Sequence, residues 1–149
     1  LDPRQPHSIP HAGTFNNNVL TMAAGLTAMT KIYTSDAVRT LNDFGEDTRN
    51  KLNALARKHG AAMSFSGRGS MMNVHMMTGE IRNVEDAARG STELRDLFFF
   101  DMLERGIYLA RRGMINLSLV HEKHHVEALL AAVEDFIATR RPLLSGKAG

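Results

Sequence analysis

The sequence contains no cysteine and no tryptophan, and its apolar runs are short. Without cysteine there are no disulfides, no thiolate metal sites and no thiol nucleophiles, a usage that fits a cytoplasmic protein. A membrane-spanning helix needs about 20 successive apolar residues, so we expect no membrane association. The first 13 residues hold three prolines and lack the apolar stretch of a secretion signal.

An excess of charge of either sign is also missing, since 18 basic residues face 16 acidic ones and leave a net charge of +2. The basic residues are scattered rather than aligned on one face, so no nucleic-acid partner is indicated. A length of 149 residues with 43% apolar content is enough to build a hydrophobic core. The chain begins with Leu1 rather than Met, and we expect it to be cut from a longer polypeptide.

Residues 1–17 are predicted to be extended or looped, and helical periodicity dominates from there to residue 60. Asn18 is the predicted N-cap of a helix that runs to Ile32 and is apolar or small nearly all round, a pattern typical of buried helices. A second helix is predicted to follow Thr34, with early capping and acidic residues, and to end at His59-Gly60.

The middle and end of the chain alternate between strand and helix patterns. Strands are predicted around a glycine-flanked turn at Gly67–Ser70, followed by a polar loop over 78–91. The remaining predicted elements are a helix over Thr92–Arg105, strands at Ile107–Leu109 and Ile115–Leu119, and a final amphipathic helix bearing Val126 to Ile137 on one face. This order predicts an α+β fold in which helices cover a short sheet.

Three residue clusters have both a chemical and a structural interpretation. The cluster His121, His124 and His125 has the i, i+4 spacing of helical zinc pairs, but it lacks a further ligand and a general-base Glu, so we favour a solvated helix start. The four methionines Met71, Met72, Met76 and Met77 suggest a copper-binding site or a promiscuous hydrophobic surface. Their alternation along a strand instead favours packing in the core. Gly67–Ser70 lacks the third glycine of a dinucleotide-binding loop and is interpreted as a turn.

The segment from Gly13 to Asn18 lies directly before an apolar helix. A glycine lets the backbone approach a ligand, and a hydroxyl beside a helix N-terminus suits an anionic phosphate. Ordinary N-capping explains the same residues and is the more common cause.

The longer segment His11–Gly25 resembles the glycine-threonine loop and following helix of class III, fold-type I pyridoxal-phosphate (PLP) aminotransferases, above all glutamate-1-semialdehyde 2,1-aminomutase and its relatives. Three further matching motifs follow in the same order as in that family. They are Leu41-Asn42 with Gly45, Gly67-Arg68-Gly69-Ser70-Met71, and Leu103-Glu104-Arg105-Gly106-Ile107-Tyr108-Leu109-Ala110. The resemblance therefore extends over nearly the whole chain and implies the C-terminal part of such an enzyme.

The resemblance implies roles for particular residues. Thr14, enabled by Gly13, would bind the PLP phosphate of the neighbouring subunit across a homodimer interface. Residues 1–33 would be a loop-helix remnant of the large cofactor-binding domain, and residues 34–149 the small C-terminal domain that closes over small-molecule amino donors and acceptors. No catalytic residue and no metal ligand is assigned within the chain.

Departures from the family pattern concern catalysis and substrate. The family lysine that binds PLP covalently lies upstream of the threonine loop, yet no lysine precedes Lys31 here, and we expect the chain alone to be inactive. The stretch Arg111–Met114 is shorter than in the aminomutases and lacks their acidic residue. Asn116 stands where some family members have a carboxylate-binding arginine, which argues against the aminomutase reaction itself. The alternative to an enzyme part is a stand-alone dimerisation or binding module.

Overall fold

A computed structural model describes residues 4–9, 13, 15 and 18–145. The chain divides into two compact units, Leu1–Val38 and Arg39–Gly149. The assignment of residues 1–33 to a large domain and of residues 34–149 to a small domain remains a prediction.

The first unit contains helix α1, Val19–Thr27, which continues as a π-helical turn over Ala28–Ile32. The predicted helix limits are thus confirmed, although the last turn is π rather than α. The apolar pattern is that of a buried helix, yet α1 and the π turn contain no buried residue in this chain. An apolar surface all round a helix requires partners, and the described residues do not cover this one.

Helix α2 spans Ser35–Lys58 and begins as predicted, with the Thr34 hydroxyl accepting the Ala37 N–H at 3.3 Å. Gly60 follows it with a φ of 62°, a left-handed conformation that favours glycine at a helix C-terminus. The residues of α2 that are buried recur at helical spacing and are Leu41, Gly45, Thr48, Leu52 and Ala56. One face of α2 therefore contributes to the core.

Three antiparallel strands form the sheet in the order β1-β2-β3. They are β1 Ser64–Arg68, β2 Met71–His75 and β3 Met114–Asn116. The register places Phe65 opposite Val74 and Met72 opposite Ile115, so these four buried side chains share one face. The hairpin predicted around the Gly67–Ser70 turn is confirmed.

The outer edge of β1 is occupied by a side chain of α2. The Asn53 amide accepts the Phe65 N–H at 2.9 Å and donates to the Phe65 carbonyl at 2.8 Å. A single side chain thus satisfies both backbone groups that a neighbouring strand would otherwise pair.

The remaining helices are α3 Val84–Ala87, α4 Thr92–Glu104, α5 Lys123–Thr139 and α6 Arg141–Leu144. The predictions for α4 and α5 are confirmed. Helix α3 was missed inside the polar stretch 78–91, where Asn83 caps it by accepting the Asp86 N–H at 2.8 Å. Helix α6 was missed as well.

The strand predicted at Ile107–Leu109 is absent, and the one predicted at Ile115–Leu119 is shorter. The Ile107 N–H closes the end of α4 on the Met102 carbonyl at 2.9 Å, and Ala110 N–H bonds to the Met114 carbonyl at 3.1 Å, so this segment turns into β3 instead of pairing as a strand. Beyond Leu117, the Ser118 N–H donates to the His121 ring at 3.0 Å, which diverts it from the sheet.

The core lies between the apolar face of the sheet and the helices of the second unit. Phe98 of α4 and Phe136 of α5 are fully buried and meet edge to face, with ring centroids 5.1 Å apart. Met72, Val74 and Ile115 belong to the same buried cluster. The predicted α+β architecture, a short sheet covered by helices, is confirmed.

Candidate functional site

The predicted phosphate loop begins at Gly13, which is exposed and has a φ of 149°. A residue with a side chain rarely adopts this conformation, so the backbone path at this position favours glycine. Thr14, the predicted phosphate ligand, lies outside the described residues.

Asn18 is the N-cap of α1, as predicted. Its Oδ1 accepts the N–H groups of Leu20 at 3.0 Å and Thr21 at 3.2 Å. The Asn18 N–H itself donates to the Phe15 carbonyl at 3.1 Å. The capping interpretation therefore holds for these two helical donors, and any anion at this helix start would rely on other donors.

The lysines that the structure describes are exposed. Lys51 pairs with Asp47 at 2.6 Å, Lys58 with Glu134 at 3.1 Å and Lys123 with Glu127 at 3.5 Å. A lysine that reacts as a nucleophile needs a desolvated or otherwise depressed amine. Solvated lysines in surface ion pairs have no such environment.

Two of the motifs that resemble the family meet at the tip of the β1–β2 hairpin. A Cβ added to Gly45 of α2 would lie 2.1 Å from the Gly69 carbonyl oxygen, so helix and turn are in direct backbone contact. The Gly69 N–H donates to the Glu46 carboxylate at 2.7 Å, and this bond, followed by Arg49, lowers the pKa of Glu46. These residues position the hairpin relative to α2.

A hydrogen-bonded polar pair lies on the opposite face of the hairpin from the core. Ser66 Oγ and His75 Nε2 are 2.7 Å apart, and His75 is only 8% exposed. Burial, and secondarily the charge of Arg95, lowers the pKa of His75, which favours the neutral ring. Among the residues that the structure describes, no third group is hydrogen-bonded to the His75 ring, as the orientation of a catalytic base would require.

The histidine cluster forms the N-terminal end of α5. His125 Nδ1 accepts the Glu122 N–H at 3.0 Å and completes a capping box, while His121 Nδ1 accepts the Ser118 N–H at 3.0 Å. Within the described part of the chain, no group of three or more potential ligands is placed to hold a metal ion. The histidines serve the helix start.

A cleft of about 580 Å³ opens beside β3. The segment Ile107–Ala110 and β3 form part of its wall, and α5 contributes Val126 and Leu129. Tyr108, Asn116, His121 and His125 supply its polar side chains apart from Arg105. The cleft is thus mainly apolar with a few polar groups, the composition common to small-molecule sites.

Sequence reasoning missed the charged network at the end of α4. Asp101 is buried and accepts hydrogen bonds from Arg105 at 2.9 Å and Arg140 at 3.1 Å. Arg105 also bonds to Asp135, and these partners, Asp135 first, raise the pKa of Arg105 above its usual value. The only sequence signal was an aspartate inside an apolar helical run, which rarely stays buried without a partner.

The methionines are divided by the pleat of the sheet. Met72 and Met76 are buried in the core, as the packing interpretation predicts, whereas Met71 is exposed.

Among the described residues, no helix has both the length and the apolar character to cross a membrane.

Known proteins resemble this chain in sequence over most of its length. No family model matches the chain. The chain is 43% identical over 144 residues to the beta-phenylalanine transaminase of Variovorax paradoxus, covering 97% of this chain and 33% of that protein. It is 31% identical to the glutamate-1-semialdehyde 2,1-aminomutase of Akkermansia muciniphila, covering 89% and 31%.

Solved structures agree. The beta-phenylalanine aminotransferase of Variovorax paradoxus superimposes with a TM-score of 0.88, over 97% of this chain and 33% of that one. An omega-transaminase of Sphaerobacter thermophilus, 26% identical, gives a TM-score of 0.75 over 95% and 33%. The chain spans about one third of the length of the relatives that it matches. The predicted resemblance is confirmed, and the chain belongs to the class III, fold-type I family of PLP-dependent aminotransferases, matching the C-terminal part of its members.

Proposed function

We propose that the chain supplies the C-terminal part of a PLP-dependent aminotransferase or aminomutase. The observation that carries this proposal is the similarity to the beta-phenylalanine transaminase, 43% identical over 97% of the chain with a TM-score of 0.88. The aminomutase of Akkermansia muciniphila is less similar, at 31% identity. This difference favours amino-group transfer between a small-molecule donor and acceptor over the aminomutase reaction.

Two features before and at the start of α1 support a site for the phosphate of PLP. Gly13 is exposed and has a φ that disfavours residues with a side chain, so a ligand can approach the main chain there. The N-terminus of α1 carries a partial positive charge that favours an anion. When bound, PLP supplies an electron sink for the amino acid's α-carbon. In this proposal Gly13 opens the path and the Thr14 hydroxyl donates to the phosphate.

The proposed partner is a second subunit of the same protein, to which residues 1–33 would present the loop and α1. The apolar face of α1 and the π turn supports an interface, because Val19, Leu20 and Leu26 are each at least 66% exposed. Large exposed apolar patches mark association surfaces. The residues from 34 onward would form the small domain over the substrate.

A polypeptide of these 149 residues alone is proposed to lack transaminase activity. The lysines Lys51, Lys58 and Lys123 are held in solvated ion pairs, and none precedes Lys31 in the sequence. Incubation with PLP and borohydride, followed by peptide mass spectrometry, tests this directly. A stoichiometric PLP adduct on one specific lysine would overturn the proposal of inactivity.

The role of Thr14 is tested in the complete dimeric enzyme. Thr14→Ala removes one hydrogen bond to a charged phosphate and should weaken PLP retention by about one to two decades, or roughly 1.5–3 kcal/mol. Thr21→Ala, in α1, is the matched control and should retain PLP normally.

A mixed dimer shows which subunit the threonine serves. One subunit carries Thr14→Ala and the other lacks the PLP-binding lysine. The proposal predicts weakened PLP binding in the lysine-deficient subunit and an intact site in the other. Loss of PLP from the subunit that retains its lysine would show that Thr14 serves its own site.

A second candidate function is a stand-alone, non-catalytic dimerisation module. The exposed apolar surface of α1 favours it as much as it favours an enzyme interface. The coding sequence upstream of Leu1 discriminates between them. An in-frame region with a PLP-binding lysine supports the enzyme, whereas a start codon directly before Leu1 supports the module.

A further inference from the structure

The two histidines of the cleft are held in one defined tautomer. His121 Nδ1 accepts the Ser118 N–H, and His125 Nδ1 accepts the Glu122 N–H, each at 3.0 Å. A ring nitrogen that accepts an N–H carries no proton, so the proton of each neutral imidazole is on Nε2. Both rings therefore offer an Nε2–H donor.

These donors are not used within the described part of the chain. No described residue accepts a hydrogen bond from Nε2 of His121 or His125, and both side chains line the cleft. Their ring centroids are 5.6 Å apart. At this separation two Nε2–H groups are able to converge on the two oxygens of one acceptor group.

The charge of the cleft restricts the acceptor. Among the described residues that line it none is acidic, and the one permanent cation among them, Arg105, is already bonded to Asp101 and Asp135. Its described donors are thus the two imidazoles, the Asn116 amide and the Tyr108 hydroxyl, and none of its described residues is an unpaired guanidinium or ammonium group. Such a site suits a single negative charge and gives little to a phosphate dianion.

The walls of the cleft indicate the polarity of the part of the ligand that lies beyond its acceptor group. Its walls are largely aliphatic and include Ile107, Leu117 and Leu129. A ligand with a polar body would lose its hydration against these side chains without gaining hydrogen bonds in return. An apolar body is instead stabilised by burial.

We propose that this cleft binds a small monocarboxylate with an apolar body, whose carboxylate accepts hydrogen bonds from Nε2 of His121 and of His125. The site requires neither PLP nor the partner subunit, so its test is independent of the function proposed above.

The test is a titration of the full chain with phenylacetate, followed by amide chemical shifts in NMR. Asn116, Leu117 and Val126 should shift and give a dissociation constant. Phenylacetamide, the neutral analogue, should bind at least roughly tenfold more weakly, because hydrogen bonds to a charged acceptor are the stronger kind. Inorganic phosphate at the same concentration should not displace phenylacetate.

Asparagine variants separate ligand binding from helix capping. His121→Asn and His125→Asn keep a side-chain acceptor near the position of Nδ1 but remove the Nε2–H. Each should weaken phenylacetate roughly 10-fold or more while leaving the helix content unchanged. His124→Asn is the matched control, since His124 does not line the cleft, although its ring lies against that of His125 as well as beside Glu122.

The proposal is overturned by any of three results. Phenylacetate produces no shifts at the cleft residues, phenylacetamide binds as tightly as phenylacetate, or the folded double variant His121→Asn/His125→Asn retains the wild-type affinity. Displacement of phenylacetate by phosphate would show that the cleft binds anions in general rather than a monocarboxylate, and this result would also overturn the proposal.

Discussion

Helices α1 and α5 are both rich in apolar residues, yet they differ in how much of their apolar surface is buried. Helix α5 buries Val126, Leu129, Val133, Phe136 and Ile137, whereas α1 buries none of its residues. The apolar residues of α5 occupy one face and find the sheet within the same unit. Those of α1 extend nearly all round and find no cover among the described residues. An apolar helix shows that burial is required, but not which polypeptide segment provides it.

The largest expected difference between the two helices is in hydrogen exchange. Amides of Leu129–Ile137 should exchange only on global opening, while those of Leu20–Thr27 should exchange through local fraying, a difference of at least about a thousandfold. The measurement requires a monodisperse monomer, because self-association through α1 would protect it. Equal protection of both helices in such a monomer would contradict the comparison.

Truncation of large apolar residues should sharpen the contrast. Phe136→Ala removes a fully buried ring and should lower the free energy of unfolding by about 3–5 kcal/mol. Leu26→Ala, on the exposed helix, should change it by less than about 0.5 kcal/mol. Urea denaturation measures both. A large effect of Leu26→Ala in the monomer would show that α1 is packed.

One glycine in each unit allows a matched pair of substitutions, Gly25 in the first unit and Gly45 in the second. Gly45→Ala places a Cβ against the Gly69 backbone and should destabilise by about 1–3 kcal/mol, since neither segment can retreat easily. Gly25→Ala meets nothing within 4 Å and replaces a helical glycine, so it should stabilise α1 by up to about 1 kcal/mol. Circular dichroism with thermal denaturation distinguishes the two signs.

The smallest effect is expected from His75 and concerns the second unit alone. Its pKa lies below the ordinary value of 6.5 because burial, and then Arg95, disfavour the charged ring. The unfolded chain therefore binds the proton more readily, so this contribution is complete above pH 6.5 and is lost as the pH falls through the folded pKa. His75→Gln, which keeps a polar partner for Ser66, should remove that part of the pH dependence. An unchanged difference between pH 7 and pH 5 would contradict it.

Local signals in the sequence predicted most of the helices and the hairpin. Asn18, Thr34 and Gly60 mark helix ends through their own side chains or φ angles, so their effect does not depend on distant residues. The segment Ile107–Leu109 misled because its apolar alternation is also compatible with a loop that closes α4 and turns into β3. Tertiary hydrogen bonds decide between these outcomes, and no short sequence window contains them.

The candidate site was less accessible to sequence reasoning. Gly13 and Thr14 were singled out by resemblance, because a glycine and a hydroxyl before a helix are too common to identify a phosphate site. The cleft was not predicted at all. It depends on His121 and His125 approaching the segment after α4, which lies some 15 residues earlier in the chain. Their spacing suggested a metal, whereas their Nδ1 atoms are taken by backbone N–H groups.

The amide of Asn53 has a consequence for how this protein behaves at high concentration. An exposed strand edge is a template on which another copy can add a strand and begin a fibril. At β1 the second residue, Phe65, has both backbone groups taken by Asn53. An incoming strand would have to displace this side chain before it could pair with Phe65. The sheet is thus protected from edge-to-edge polymerisation at β1 by one residue that lies on a helix.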